Sequence, residues 1–269
     1  MKVQRNALFL DFADQNLLTV SQAGYVVTDE TWVQKPLPSP FSRLYYVMEG
    51  TGMLVSEREE MKLEAGYVYL APCGSTCGYY GTDSVRKLFF HVNFILPDGY
   101  DLFAGCEQFA RLKMSVEHME TMRSRYFGED AVGHAMLKGE LWRTVTDFAA
   151  MLISGSSRRV KHSRVVDQAI GYIRRNLSAG LSVSEVAGGI YCSESSLCAS
   201  FRREMGITPA QYIEDLVIFE AGQQLMFTGR SVGEISAALG YCDQFYFSRR
   251  FRKRYGISPR EYRKQRLGI

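Results

Sequence analysis

The sequence is poor in the residues that build covalent or metal cross-links. Its six cysteines, in 269 residues, lack the regular spacing of a disulfide framework. It has four histidines, and His91 is the only one in the first 100 residues. Because a stable site for zinc, iron or manganese usually needs three or more protein ligands, we expect no metal and no other cofactor.

Long apolar runs are also missing. No run approaches the roughly 18 apolar residues that a membrane-spanning helix needs. Near the amino terminus, the run Ala7–Leu10 stops at Asp11, which is too short for the core of a signal peptide. Together with cysteines that we expect to be reduced, these features predict a cytoplasmic protein.

The net charge is small, but the two signs are unevenly placed. The formal charge is +3, yet residues 1–155 carry 14 basic and 19 acidic side chains, a net of −5. Residues 156–269 carry 18 basic and 10 acidic side chains, a net of +8. Such asymmetry predicts that the carboxy-terminal half meets a polyanion. The length predicts two domains, and an apolar content of 46% excludes general disorder.

A duplicated segment is the strongest pattern in the chain. Residues 182–212 align with residues 231–262 at an offset of 49, which becomes 50 after one inserted residue. The matched pairs include Ser182 with Ser231, Glu185 with Glu234, Leu197 with Phe247, Phe201 with Phe251, Gly206 with Gly256 and Tyr212 with Tyr262. A match of this detail predicts one supersecondary unit that is used twice.

Each copy contains local signals for two helices and a tight turn. Ser182-x-x-Glu185, like its counterpart in the second copy, forms a capping box that begins a helix. Gly206 is placed to end the second helix, as glycines at that position commonly do. The pattern predicts two helix-turn-helix units. It also predicts one continuous helix over Thr208–Phe227 between them, and an earlier helix whose apolar face carries Val166, Ile170, Ile173 and Leu177.

These units resemble a known family. Both copies end in Phe-Arg-x-x-x-Gly-Ile-(Thr/Ser)-Pro-x-x-Tyr, and residues 238–253 run Ala-Leu-Gly-Tyr-x-Asp-Gln-x-Tyr-Phe-Ser-Arg-x-Phe-x-Lys. Over roughly residues 163–267 the chain resembles the DNA-binding domain of the AraC family of bacterial transcription regulators. The resemblance implies a sequence-specific regulator, commonly an activator, whose partners are double-stranded DNA, RNA polymerase and a second copy of the chain.

The resemblance also implies which side chains meet DNA. The positions that contact bases in the family are Ser195, Cys198 and Ala199 in the first copy, flanked by Ser196, and Phe245, Tyr246 and Arg249 in the second. Arg249 could bind guanine, whereas the two aromatic residues could contact thymine methyl groups. The remaining basic residues are phosphate contacts or solvated charges, and they are Arg202, Arg203, Arg250, Arg252 and Lys253.

The first 100 residues predict a small all-β barrel or sandwich. Leu44–Met48, Met53–Ser56, Tyr67–Leu70 and Leu88–Ile95 have the β-branched and aromatic content of strands. The order Tyr45-Tyr46-Val47-x-x-Gly50-x-Gly52, then Pro72-x-Gly74, then Phe89-Phe90-His91 resembles the cupin-like sensor domain often joined to AraC-type DNA-binding domains.

A cupin-like sensor would hold a small molecule in its barrel. By resemblance to the sugar-responsive family members, the candidate effector contacts are Lys35, Tyr79, Phe89 and His91, although inward residues of any barrel strand also serve as filler. Two alternatives are a β domain that serves only for dimerisation and a metal-dependent cupin enzyme fused to a DNA-binding tail. The missing histidines argue against the enzyme.

The expected fold class is a multidomain α+β protein. Residues 1–104 form the cupin-like sensor domain, 154–162 the linker and 163–269 the all-α DNA-binding domain with two helix-turn-helix units. In residues 105–153, apolar residues recur every three or four positions from Phe109 to Met122 and again from Leu137 to Leu152. This spacing predicts a helical hairpin. This hairpin could pair with a second subunit or pack on the chain's own barrel.

Overall fold

The computed structural model describes residues 17–29, 31–153 and 162–264. The predicted linker therefore lies outside the described residues, except for His162. Two compact units are present, one formed by residues 17–95 and 101–153 and the other by residues 162–264 with Leu96–Tyr100. Among the helices of these described segments, none is long and apolar enough to cross a membrane.

The amino-terminal unit is built from two antiparallel sheets, which confirms the predicted β-rich fold. One sheet has the strand order β1-β8-β3-β6-β9 and the other β2-β7-β4-β5. All four strands expected from the sequence are present, as β3, β4, β6 and β8. The strands are β1 (Leu17–Val27), β2 (Val33–Pro38), β3 (Ser42–Glu49), β4 (Thr51–Val55), β5 (Glu60–Glu64), β6 (Tyr67–Ala71), β7 (Thr76–Gly81), β8 (Arg86–Ile95) and β9 (Ala110–Lys113).

Strand β3 is buried on both faces because the five-stranded sheet is covered twice. One face joins the core between the sheets, where Tyr45 lies with Leu54 of the opposite sheet. The other face is covered by helices α1 (Val116–Phe127) and α2 (Ala131–Leu152), where the Trp142 ring lies 4.7 Å from that of Phe94. The apolar stripe of α2 is therefore buried within its own unit, which is one of the two alternatives for the hairpin.

The predicted helical period was wrong at its start. Phe109 and Leu112 have helical spacing with Val116, but Ala110–Lys113 is strand β9, which pairs antiparallel with β6. Phe109 is buried in the core cluster between the two sheets. The backbone of this segment pairs with the edge of the sheet, and this pairing outweighs the helical spacing of a few apolar residues.

The carboxy-terminal unit is all helical and has the predicted caps. Both capping boxes are present, with Ser182 and Ser231 each accepting a backbone N–H from the glutamate three residues later. Gly206 and Gly256 end their helices in the left-handed region, at φ 73° and 76°. The helices are α3 (Arg164–Arg175), α4 (Val183–Gly189), α5 (Glu194–Met205), α6 (Pro209–Phe227), α7 (Val232–Ala238), α8 (Gln244–Tyr255) and α9 (Pro259–Lys264).

The capping boxes make this unit sensitive to acid. Glu185 and Glu234 accept backbone N–H groups from Ser182 and Ser231, which lowers the pKa of both carboxyls below their ordinary value of 4.5. The unfolded chain then binds these protons more readily, so stability present at neutral pH is lost as the pH falls through and below 4.5. We expect the Tm of the unit to fall below about pH 5.

Glutamine keeps the acceptor oxygen of a capping box but does not titrate there. The double variant E185Q/E234Q should therefore show a flatter decline of Tm on acidification, measured by circular dichroism. Asp215, whose pKa is raised by burial, acts in the opposite direction but is present in both proteins, so it does not affect the difference. Identical slopes for the two proteins would contradict a role of these carboxylates.

Candidate nucleic-acid interface and barrel site

Helices α5 and α8 present equivalent exposed faces. In α5 the side chains of Leu197 and Phe201 are buried, and in α8 Phe247 and Phe251 are buried at the equivalent positions. This spacing of four leaves the opposite face of each helix to solvent. The duplication therefore produces two similar exposed helix faces in one unit.

The turns before these helices locate the inserted residue of the duplication. Tyr191 and Gly240 both have positive φ, 57° and 81°, and the next residue in each turn donates its N–H to the preceding helix. The first turn then reaches its cap at Ser193, whereas the second has Cys242 in addition before Asp243. The Asp243 carboxylate accepts the backbone N–H groups of Phe245 and Tyr246, which lowers the pKa of this carboxyl.

Most of the residues expected to meet DNA are exposed. Phe245 is 74% exposed and Tyr246 is 48% exposed, which is unusual for aromatic side chains in a folded unit. Cys198 and Arg250 are half-buried. The other expected residues are exposed on the same two faces, and they are Ser195, Ser196, Ala199, Arg202, Arg203, Arg249, Arg252 and Lys253.

Several of the basic side chains already have partners within the unit. Arg250 of α8 forms a salt bridge with Glu214 of α6, which ties these two helices together. Arg203 lies 2.7 Å from the carboxylate of Glu204. The guanidinium of Arg249 is 5.8 Å from the Tyr246 ring centroid, so these two exposed side chains form one patch on α8.

Helix α6 connects the two helix-turn-helix units within the carboxy-terminal unit. It is continuous over Pro209–Phe227, as the sequence predicts, and Thr208 begins it with a capping box. Ten of its 19 residues are buried, so it is apolar on more than one face and packs against both helix-turn-helix units. At 1.5 Å per residue its axis is about 28 Å long, close to the ~34 Å of one DNA turn.

The structure brings together three of the four residues expected to contact an effector. Tyr79 and Phe89 lie in the buried cluster between the sheets. The His91 ring lies 5.3 Å from the Phe89 ring and stacks on Phe41 at 4.2 Å. Lys35 does not join this group. Its neighbour Gln34 is the residue of β2 that lies opposite Tyr79, and the Lys35 side chain is exposed.

Two charged residues of the barrel were missed by the sequence interpretation. Arg43 and Lys87 are only 6% and 2% exposed. Lys87 precedes Phe89 and His91 by two and four residues, so strand alternation places all three on one face. This alternation could have indicated from the sequence that Lys87 is buried. It was missed because lysine usually faces solvent. Near them, burial raises the pKa of the Cys77 thiol, which disfavours a reactive thiolate.

No group of three or more histidine, cysteine, aspartate or glutamate side chains that could hold a metal occurs in residues 17–29, 31–153 and 162–264.

Sequence comparisons agree with the two exposed helix faces. A family model described as a helix-turn-helix domain matches residues 186–265. The raffinose operon transcriptional regulatory protein RafR of Pediococcus pentosaceus is 23% identical over 237 residues, covering 84% of this chain and 85% of that protein. The lactose operon transcription activator of Staphylococcus xylosus is 31% identical over 98 residues, covering 36% of this chain and 35% of that protein.

A solved structure is similar in fold over most of the chain. The structure of an apo ToxT variant from Vibrio cholerae is similar with a TM-score of 0.52 and covers 93% of this chain and 97% of that chain. At 10% sequence identity this likeness concerns the fold alone. With two helix-turn-helix units after an antiparallel β domain, and with operon regulators among the proteins to which it is similar, the chain resembles the AraC family of transcription regulators.

Proposed function

We propose that α5 and α8 enter two successive major grooves on one face of a DNA duplex. The observation that carries this proposal is the repeated exposed face of the two helices, joined by a buried α6 of about one DNA turn in length. The net charge of +8 in residues 156–269 supplies the attraction to phosphates. One copy of the chain would then contact two segments about ten base pairs apart.

The two helices differ in what they can recognise. In α5 the candidate base contacts Ser195, Cys198 and Ala199 are short side chains that can approach base edges closely. In α8 the exposed patch of Phe245, Tyr246 and Arg249 combines apolar surface for thymine methyl groups with a guanidinium that can bind guanine O6 and N7. We therefore assign most of the sequence preference to α8.

The Arg249→Ala variant is expected to lose about 10- to 100-fold in affinity for the preferred site, because a bidentate arginine–guanine pair contributes about 1–3 kcal/mol of discrimination. The loss should concern one base position, and substitution of that base should no longer change the affinity of the variant. The measurement is fluorescence anisotropy titration with a selected duplex and with its single-base variants.

Arg252→Ala is the matched control on the same helix. As a phosphate contact it should weaken binding to all sequences similarly and reduce the slope of log affinity against log salt by about one. Equal losses on every sequence from both variants would contradict the assignment of Arg249 to a base.

We further propose that the amino-terminal barrel binds a small-molecule effector and thereby regulates DNA binding. The support is the cluster of Tyr79, Phe89 and His91 inside the barrel, where aromatic surface surrounds polar groups. Two relatives are named for raffinose and lactose operons, which favours a carbohydrate or a derivative of one as the signal. The relative called an activator favours activation of transcription in this protein too.

The proposed function also implies a cellular location and two protein partners. As a regulator of transcription the chain would act in the cytoplasm, contact RNA polymerase at a promoter and form a homodimer. With the apolar stripe of α2 buried, the outer side of that helix remains for pairing, where Val132 and Met136 are exposed four residues apart. We propose no catalytic role for the barrel.

A further inference from the structure

One residue of the carboxy-terminal unit has an unusual backbone conformation. Within residues 17–29, 31–153 and 162–264, Tyr191 is the one non-glycine residue with a positive φ, at 57°. The left-handed region costs free energy for a residue with a Cβ atom, and bulky residues seldom adopt it. Strain of this kind is concentrated at functional positions, so Tyr191 is a candidate for a role beyond the fold.

The conformation belongs to the end of α4. Tyr191 donates its backbone N–H to the carbonyl of Gly188 at 3.2 Å, and Cys192 donates to that of Ala187 at 3.0 Å. These two bonds form a Schellman motif, whose left-handed residue is usually glycine. The equivalent turn after α7 has the same pair of bonds, and there Gly240 is the left-handed residue at φ 81°. The turn therefore requires the conformation but not a tyrosine.

Glycine occupies the other left-handed helix ends in the described part of this unit. Gly206 and Gly256 end α5 and α8, and a Cβ atom at either would meet nothing within 4 Å. Their backbone conformation, and not a lack of space, favours glycine there. At Gly240 a Cβ atom would lie 2.0 Å from the Oγ atom of Ser178. At Tyr191, by contrast, a large side chain is present where the backbone favours glycine.

The Tyr191 side chain contributes little to packing within the unit. It is 98% exposed, so both its ring and its hydroxyl lie in solvent. The second turn is covered instead, because the Ala179 N–H bonds to the carbonyl of Leu239 at 2.8 Å. A side chain that strains the backbone and packs against almost nothing indicates a contact with another molecule.

The position of Tyr191 favours DNA as that molecule. It lies two residues before Ser193, which caps the amino-terminal end of α5. The amino-terminal residues of a recognition helix are the ones that approach base edges. At the same end of α8 the exposed aromatic residues are Phe245 and Tyr246, whereas the aligned positions of α5 are serines. In the first helix-turn-helix unit, the turn therefore supplies an exposed aromatic side chain at this end.

We propose that Tyr191 is a further DNA-contacting residue, whose hydroxyl donates a hydrogen bond to a phosphate of the segment that α5 contacts. This inference rests on the proposed entry of α5 into the major groove and adds a contact from the turn before that helix. Tyrosine is among the side chains that bind phosphate oxygens, and such contacts fix the register of a protein on the duplex without reading its sequence. The short side chains of α5 would be held at the base edges by this contact.

Tyr191→Phe removes only the hydroxyl. In the full-length protein its affinity for the selected duplex should fall about 10-fold, because a hydrogen bond to a charged acceptor is lost. The loss should be the same on single-base variants of the duplex. The slope of log affinity against log salt should not change, because a neutral hydroxyl releases no counterion. Tyr172→Phe is the matched control, since this half-buried ring packs over Gly189, and its affinity should equal that of the parent.

Tyr191→Gly separates a DNA contact from a role in the fold. Glycine adopts the left-handed conformation without strain, so the Tm of this variant should be equal to or above that of the parent protein. Its affinity for DNA should nevertheless fall at least as far as that of Tyr191→Phe. A fall in Tm together with the fall in affinity would show that the tyrosine serves the turn, and it would overturn the proposal.

A scan of the duplex identifies the phosphate. Single linkages of the selected site are replaced in turn by uncharged methylphosphonates, and each duplex is titrated with the parent and with Tyr191→Phe. One replacement should weaken the parent but not the variant, which has already lost the bond. This linkage should lie in the α5 segment, about ten base pairs from the base that Arg249 contacts. A linkage in the α8 segment, or none with this behaviour, would overturn the contact.

Failure of this inference is distinguishable from failure of the proposed function. If Arg249→Ala and Arg252→Ala lose affinity as expected while both Tyr191 variants bind like the parent, the Tyr191 contact is wrong and the proposed function stands. If the full-length protein selects no preferred duplex, the proposed function fails, and the Tyr191 contact fails with it.

Discussion

Inserting five base pairs between the two contacted segments of the target duplex is expected to lower the affinity of the regulator by about 100-fold or more. Five base pairs turn the second segment to the opposite face of the duplex, so α5 and α8 cannot enter both grooves at once. Two linked binding modules gain about 10²- to 10⁴-fold over one, and the insertion removes that gain. The measurement is an anisotropy titration on a site first selected from random duplexes.

A series of insertions distinguishes a rigid connection from a flexible one. Because α6 is buried on several faces and tied to α8 through Arg250 and Glu214, we expect a fixed distance between α5 and α8. An insertion of ten base pairs restores the face but adds about 34 Å, so it should not restore affinity. Equal affinity at all spacings would contradict the contact of both helices with one duplex, whereas recovery at ten base pairs would contradict the rigid connection between them.

Local signals explain why the DNA-binding unit could be predicted in detail. The capping boxes at Ser182 and Ser231, the glycine ends of α5 and α8 and the continuous α6 depend on residues three or four apart in the sequence. Because the segment is duplicated, each signal occurs twice in the sequence, which strengthened the prediction. What the sequence did not provide was the ion pair between Arg250 and Glu214, because its two residues lie 36 positions apart.

The amino-terminal unit was less predictable because its structure depends on distant partners. Strand β9 has helical spacing in the sequence and becomes a strand through pairing with β6, and β2 contains two prolines that weaken its pattern. Lys87 follows the alternation of β8, yet its burial depends on aromatic residues from three other parts of the chain. The resemblance to the AraC family could therefore predict an amino-terminal β domain but not its inner charges.

Truncation of Phe251 to alanine is expected to destabilise the carboxy-terminal unit by about 3–5 kcal/mol, the usual cost for a fully buried phenylalanine. Phe251 is 0% exposed, and its ring lies 4.6 Å from that of Tyr255 and 5.1 Å from that of Tyr262. The cavity would remove the centre of the aromatic cluster that holds α8 in place. Urea unfolding followed by circular dichroism should show the loss, and binding to the selected site should fall with it.

Phe245→Ala provides the matched comparison, because it makes the same truncation on the same helix at an exposed position. Surface substitutions of this kind usually change stability by no more than about 0.5 kcal/mol, so the unfolding transition should stay in place. Affinity for the selected duplex should nevertheless fall, with the loss largest at a position where thymine is preferred. If Phe245→Ala instead destabilised the unit as much as Phe251→Ala, its ring would serve the core and the proposed DNA-contacting face of α8 would be wrong.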